Sequence, residues 1–185
     1  ETHPDFSYNG AKAIIAVTGY EGVFGYHDIE NSDEEKKQVI EIANKLKEDG
    51  FLLASHSYGH IRSGQVSLDV LRKDTADWQN KIGSLIGKTD IFIYPYGEDI
   101  TSNVSKNAYE GNPRFEILYN AGFRYFMNVD SSKSAWIQSE SRYFRGARRN
   151  IDGYRMFYYR ENMGDLFFDL ESIYDKRRPP DPQLN

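Results

Sequence analysis

Two histidines four positions apart, His56 and His60, follow the apolar run of residues 51–54. Two imidazole nitrogens bound at about 2.0–2.1 Å to one tetrahedral zinc lie only ~3.3 Å apart. A strand that continued through both positions would hold the rings roughly 13 Å apart, so the chain must turn between them. Ser57 and Gly59 favour a tight turn, because serine can hydrogen-bond nearby main chain and glycine accepts unusual backbone angles. The sequence therefore predicts half of a metal site; the alternative is two unrelated surface histidines.

The chain contains no cysteine. Disulfides and thiolate metal sites are therefore excluded, and any metal must be held by histidine and carboxylate. His27, with Asp28 beside it, is a candidate substitute ligand, although a single loop histidine is more often a surface residue.

Apolar runs rich in β-branched residues alternate with helical patterns, which is typical of a largely parallel sheet. Predicted strands cover residues 11–18, 51–55, 90–94 and 123–129, with weaker strand patterns at 143–147 and 154–159. Predicted helices run from Ser32 to Gly50, from Ser67 to Ile86 and from Asn112 to Ala121, with Ser32 and Glu35 as a capping box. Polar and aromatic residues concentrate after the strands, at 56–60, 94–99 and 128–132, and we expect these loops to meet on one face.

The length of 185 residues fits one domain, expected over residues 1–178, with a proline-rich tail over 179–185. The formal net charge of −5 argues against a nucleic acid partner. No apolar run approaches the ~20 residues needed to cross a bilayer.

The loop motifs resemble those of the polysaccharide deacetylases, also called the NodB-homology domain or carbohydrate esterase family four. Residues 56–60, His-Ser-Tyr-Gly-His, match the family's H-[ST]-x-x-H metal motif. Residues 93–97, Ile-Tyr-Pro-Tyr-Gly, resemble its Arg-Pro-Pro-Tyr-Gly motif with the first two positions changed. Asp130 followed by Trp136 is loosely similar to Asp-x-x-Asp-Trp. The resemblance covers roughly residues 11–150.

The resemblance implies a distorted (β/α) barrel whose metal is held by two histidines and an aspartate. The family's opening Thr-Phe-Asp-Asp-Gly motif has no match here, so we expect the first barrel strand, with the catalytic base and third ligand, to be missing from this chain. The family's closing Leu-x-x-His motif is also absent.

The activity implied by the resemblance is metal-dependent hydrolysis that removes acetyl groups from N-acetylated or O-acetylated polysaccharide. His56 and His60 would bind the ion, with zinc expected and cobalt or nickel as alternatives. The backbone amide of Tyr96 would stabilise the oxyanion. Asp130 or one of Arg148 and Arg149 would orient the base, although Asp130 is equally explained as a turn residue and the arginine pair as a solvated charge run. An extracellular or cell-envelope location follows by analogy with the family.

Aromatic residues make up 15% of the chain, and tyrosine and tryptophan present a flat apolar face with a polar edge that suits sugar rings. Tyr58, Tyr94 and Trp136 are the predicted substrate-binding residues.

Two other functions remain open from the sequence. The first is a carbohydrate-binding module that keeps the fold but has lost catalysis, which the absent motifs favour. The second is a glycoside hydrolase that uses Glu98 and Asp99, but neighbouring residues point in different directions and nothing in their adjacency supports a catalytic pair.

Overall fold

A computed structural model of the chain describes residues 10–101, 108–130 and 136–159, together with residues 169, 172 and 177. The strands are β1 (Ile14–Val17), β2 (Leu52–Ser55), β3 (Ile91–Ile93), β4 (Tyr125–Val129), β5 (Ile137–Ser139) and β6 (Phe144–Arg148). The α-helices are α1 (Asp33–Glu48), α2 (Leu68–Asp77), α3 (Ser84–Ile86), α4 (Pro113–Asn120) and α5 (Gly153–Tyr158). The predicted tail over residues 179–185 lies outside the described residues.

The six strands form one sheet in the order β1-β2-β3-β4-β6-β5. Five strands are parallel, and β5 pairs antiparallel with β6. The prediction of a mixed α/β fold is therefore confirmed. The sheet does not close on itself within the described ranges, so the predicted barrel is not confirmed.

The main core lies between one face of the sheet and helices α1 to α4. On the sheet side, Val17, Phe92 and Phe126 are buried, and Leu71 and Trp78 are buried on the helix side. The Trp78 indole Nε1 also donates to the Val17 carbonyl at 2.8 Å, which satisfies its polar atom inside the core. Burying side chains of this size stabilises the fold by roughly 1.5–3 kcal/mol each, so this face anchors the strand ends that carry the site.

The opposite face of the sheet holds a smaller apolar cluster, formed by Ala54, Ile91 and Ile93 with Ala16 and Met127 packed against them. Side chains alternate between the two faces of a strand, so residues after β2 that share the parity of Ala54 emerge on this second face. His56 is the first such residue.

The predicted start of α1 is confirmed at Ser32, whose hydroxyl accepts from the Glu35 amide at 3.2 Å. In a capping box the Glu35 carboxylate would in turn accept from the Ser32 amide. Here it accepts from the Asp28 amide instead, at 2.7 Å. Gly50 follows the helix with φ 87°, a left-handed angle that glycine adopts without steric cost.

The helix predicted from Ser67 to Ile86 is present as a continuous helical segment. Ser67 caps its first turn and Gly87, with φ 90°, ends it. The middle part, Trp78–Gly83, winds as a π-helix, a local widening that the apolar spacing does not predict.

The strand predicted over residues 154–159 is wrong, because this segment forms α5. Asp152 caps the helix by accepting from the Arg155 amide at 2.8 Å, and the rings of Tyr154 and Tyr158 meet one turn apart at 4.7 Å. The aromatic residues suggested a strand by propensity, but the cap and the i,i+4 contact favour a helix. Strand β5 was not predicted.

Within the described residues, no helix is both long and apolar enough to cross a bilayer.

Candidate metal centre

The two histidines lie in the loop that leaves the carboxyl end of β2. The His56 amide donates to the Val17 carbonyl at 3.0 Å, which extends the β1–β2 pairing by one residue. The chain then turns and brings the His60 ring beside the His56 ring, with centroids 5.0 Å apart and planes inclined by 63°. The predicted turn is confirmed, and it places both imidazoles together.

The turn depends on left-handed backbone angles at Ser57 (φ 60°) and His60 (φ 51°). Such angles cost an ordinary residue roughly 1–2 kcal/mol, so the surrounding contacts must offset the strain. One contact comes from the Ser57 hydroxyl, which accepts from the Ile61 amide at 3.0 Å. Gly59, which we predicted to take the unusual angle, is not among the positive-φ residues.

Asp74, on α2, holds the loop from beneath. Its carboxylate oxygens accept from the Tyr58 amide at 3.0 Å and from the Gly59 amide at 2.7 Å. Burial raises the pKa of Asp74, and the two amide hydrogen bonds oppose that rise. A β-carbon at Gly59 would lie 3.2 Å from the carboxylate, so the glycine allows this close approach.

The His56 ring is oriented by a hydrogen bond between its Nδ1 and the Ile93 carbonyl at 2.6 Å. A carbonyl can only accept, so this contact assigns the ring proton to Nδ1 and leaves Nε2 with a free lone pair. Metal-binding histidines in proteins are commonly fixed by such a bond from the other ring nitrogen.

The separation of the two histidine rings is compatible with one shared cation. Two imidazoles bound to one tetrahedral zinc place their ring centroids roughly 5 Å apart, which matches the observed separation. In the part of the chain that the structure describes, no group of three or more histidine, aspartate or glutamate side chains could hold a metal ion together. If an ion binds at this loop, the described residues would supply two ligands, His56 and His60.

His56 is expected to stay neutral at a pH where ordinary histidines begin to charge. Burial lowers its pKa, the positive charges of His60 and Arg148 lower it further, and the Ile93 hydrogen bond opposes them. As the pH drops below ~6.5, His56 becomes protonated in the unfolded chain before it does in the folded protein. The contribution of His56 to the free energy of unfolding therefore decreases. An NMR titration of the metal-free protein should give a His56 pKa below 6.5; a value above 6.5 would contradict the described environment.

Replacing Asp74 by alanine should loosen the histidine loop. Two partly buried amides would lose their acceptor, which costs roughly 1–3 kcal/mol in unfolding free energy. Zinc affinity should fall by about 10–100-fold, as for other residues that orient a metal ligand. The matched control is Asp69→Ala on the same helix, because that side chain is 94% exposed. Equal zinc affinities in the two variants, measured by titration calorimetry, would show that Asp74 does not hold the histidine loop for zinc binding.

The second predicted loop meets the histidines through Tyr96. Its ring lies 4.7 Å from the His60 ring and 3.9 Å from the Arg62 guanidinium, and it remains 55% exposed. The turn gives Tyr96 a left-handed φ of 57°. Gly97 permits the turn, since a β-carbon there would lie 2.4 Å from the Val129 side chain.

Arg148 approaches the same strand ends from β6. Its Nη2 lies 3.4 Å from the Tyr94 carbonyl, the carbonyl next to the one that orients His56. Asp130 accepts from the Trp136 indole at 2.8 Å, and both residues line an open cleft of about 600 Å³. Trp136 therefore lies beside a cleft, as a substrate-binding residue requires. Asp130 lies next to Trp136, and among the described residues it does not form a ligand cluster with the histidines.

Two predicted substrate-binding residues are positioned differently. Tyr94 is fully buried in the core, with its hydroxyl 3.1 Å from that of Tyr109, so no surface remains for a sugar and that prediction is wrong. The Tyr58 hydroxyl donates to Glu30 at 2.8 Å and also lies near Lys81, which ties it to the helix side of the fold.

A buried ion pair beneath the cleft was missed by sequence reasoning. Asp99 accepts from Arg145 Nε and from the Tyr109 hydroxyl, both at 2.7 Å. Burial raises the pKa of Asp99, and the Arg145 charge opposes the rise. Glu98 turns away and pairs with Arg62, so Glu98 and Asp99 do not act as a carboxylate pair. Arg145 and Tyr109 become neighbours of Asp99 only in the folded chain, and no sequence pattern predicts these contacts.

No protein-family model matches the chain, and no curated protein matches it. Among solved structures, a "putative polysaccharide deacetylase from Mycobacterium smegmatis" matches with a TM-score of 0.41 and 16% sequence identity. The match covers 62% of this chain and 37% of that protein. The chain thus spans little more than a third of its neighbour's length, and similarity at this level establishes no common activity.

Proposed function

We propose that the chain carries the histidine site of a metal-dependent hydrolase that removes acetyl groups from N-acetylated or O-acetylated polysaccharide. The observation that carries the proposal is the pairing of His56 and His60, with ring centroids 5.0 Å apart at the carboxyl end of a parallel strand. The carboxyl ends of parallel strands are where α/β folds assemble catalytic groups.

His56 and His60 would hold a divalent ion, for which zinc is the first choice and cobalt or nickel are alternatives. When bound, such an ion supplies Lewis-acid polarisation of a carbonyl and a lowered pKa for water. Asp74 holds the loop, and the Ile93 carbonyl keeps His56 in the tautomer that leaves Nε2 free. The Tyr96 amide would donate to the oxygen of the acetyl group as negative charge develops there.

The strand order supports the proposal of a barrel. From β1 to β4 each strand pairs with its predecessor in the chain, and the helices of the main core cover one face of the sheet. This is the winding of one arc of a (β/α) barrel, whose second face would become the interior. The site would then lie at the rim of that barrel.

The surroundings of His60 support a glycan as the substrate. Tyr20 and Tyr96 lie within 6.3 Å and 4.7 Å of its ring, and they are 66% and 55% exposed. Exposed aromatic faces beside a hydrolytic centre suit the apolar faces of sugar rings. An acetylated glycan of the cell envelope or extracellular space is the proposed substrate.

A second candidate is a carbohydrate-binding module on the same fold without catalysis. The specific observation in its favour is that the described residues provide two metal ligands and no carboxylate beside them. In that case the aromatic residues would bind glycan, and zinc would have no effect on the glycan's acetyl groups.

The test is acetate release from chitin oligosaccharides and from acetylated xylan by the zinc-loaded protein. The hydrolase predicts release that stops when EDTA removes the metal and does not occur in His60→Ala. Glycan binding with no acetate release at full zinc occupancy would instead establish the binding module.

A further inference from the structure

Arg148 is a cation without a counter-ion in the described fold. The structure records one hydrogen bond from its guanidinium, the 3.4 Å contact with the Tyr94 carbonyl, and no ion pair within the described residues. Its Nε–H is buried without an acceptor among the residues that the structure describes. Removing a polar N–H from water without a partner costs roughly 1–3 kcal/mol, and more for a charged group, so this arrangement favours an anionic partner.

The position of Arg148 relates it to the histidine pair. Arg148 lies in register with Val129, at the carboxyl ends of β6 and β4. By the alternation of strand side chains it emerges on the same sheet face as Met127 and Ile93, which is also the face of His56. Arg148 reaches the Tyr94 carbonyl, and His56 reaches the preceding one, so the two side chains flank the end of β3.

The charges around Arg148 also favour an anionic ligand. Burial disfavours the charged form of Arg148 and lowers its pKa, so a bound anion would stabilise the guanidinium charge. A divalent ion on the histidines would add a second positive centre close to the guanidinium. An anion between the two would be attracted by both, in a site partly shielded from water where charges interact strongly.

We propose that Arg148 forms a carboxylate-binding subsite beside the histidine pair. A planar guanidinium matches a carboxylate in shape and offers several N–H donors, which makes this anion the best fit. The carboxylate has two possible sources, the acetate produced by deacetylation or a uronic acid residue of the glycan. The acetate source rests on the proposed function, whereas binding of a carboxylate does not.

The test uses metal-free protein, so that it does not depend on hydrolysis. Sodium acetate and sodium glucuronate are titrated separately at constant ionic strength, and the His56 ring resonances are followed by NMR. Both carboxylates, or one of them, should shift these resonances in a saturable manner. Arg148→Gln should weaken binding at least about tenfold, since it removes the charge and the donor pair.

Arg149→Gln is the matched control, because it removes the same charge from the adjacent position and should leave the affinity within about twofold. Arg148→Lys keeps a charge without the planar fork and should bind with intermediate affinity, which guards against a folding defect in Arg148→Gln. Saturation by acetate alone would assign the subsite to the product, by glucuronate alone to an acidic glycan, and by both to any carboxylate. Shifts that do not saturate, or that persist unchanged in Arg148→Gln, would overturn the subsite.

Acetate-release assays of the same Arg148 variants separate this proposal from the proposed function. Carboxylate binding that depends on Arg148 would stand even if the protein releases no acetate from glycans. Conversely, a protein that hydrolyses acetyl groups but binds neither carboxylate through Arg148 would keep its function and lose the subsite.

Discussion

Zinc affinity is expected to fall about 100-fold or more when either His56 or His60 is replaced by alanine. In the proposed site the two imidazoles, with ring centroids 5.0 Å apart, are the ligands, so each substitution would remove one of the two. Residues that merely orient a ligand already cost 10–100-fold when they are removed, and a ligand itself should cost at least as much. Titration calorimetry with zinc measures the change directly.

His27→Ala is the control for this experiment. His27 is an exposed histidine in an earlier loop, so its removal changes the histidine content without touching the pair. The fold should survive all three substitutions, because each affects a loop outside the main core. If His56→Ala and His60→Ala bind zinc as tightly as His27→Ala, the metal centre is misassigned.

Arg145→Met is expected to lower the free energy of unfolding by about 3–5 kcal/mol, the usual cost of leaving one member of a buried ion pair alone. The Arg145 and Asp99 side chains are only 1% and 4% exposed, and Nε lies 2.7 Å from the carboxylate. Without the guanidinium, Asp99 must either stay charged away from water or take up a proton. Because burial already raises the pKa of Asp99, the destabilisation should be smaller at acid pH than at pH 7.

Arg142→Met provides the matched comparison by urea unfolding. Arg142 also pairs with a carboxylate, that of Glu116, through two hydrogen bonds of 2.8 Å. Those side chains are 36% and 39% exposed, and exposed pairs typically contribute about 0–1 kcal/mol. Similar losses in Arg142→Met and Arg145→Met would show that the Asp99 pair is not the buried element described here.

Local sequence signals predicted most helices well. Ser32, Ser67 and Asn112 each accept from an amide of the first helical turn. Gly87 and Gly122 follow helix ends with positive φ. These features depend on a few neighbouring residues, so a single sequence contains all the information they require.

The histidine pair was predictable for the same reason, since a tight turn joins residues four positions apart. The long-range contacts that stabilise the site and the nearby cleft were not predictable. Asp74 lies 15 positions from the Gly59 amide it binds, and Arg145 lies 46 positions from Asp99. Side-chain partners this distant become visible only when the sheet and helices pack, and α5 was mistaken for a strand because aromatic propensity outweighed its cap.

His56 and His60 are proposed to bind one ion together. Anomalous diffraction at the zinc edge from crystals of the zinc-loaded protein would locate that ion. The site described here predicts one anomalous peak between the rings, about 2.0–2.1 Å from a nitrogen of each histidine. A peak on one ring alone, or rings that face apart with the zinc elsewhere, would contradict the metal centre and the hydrolase built on it.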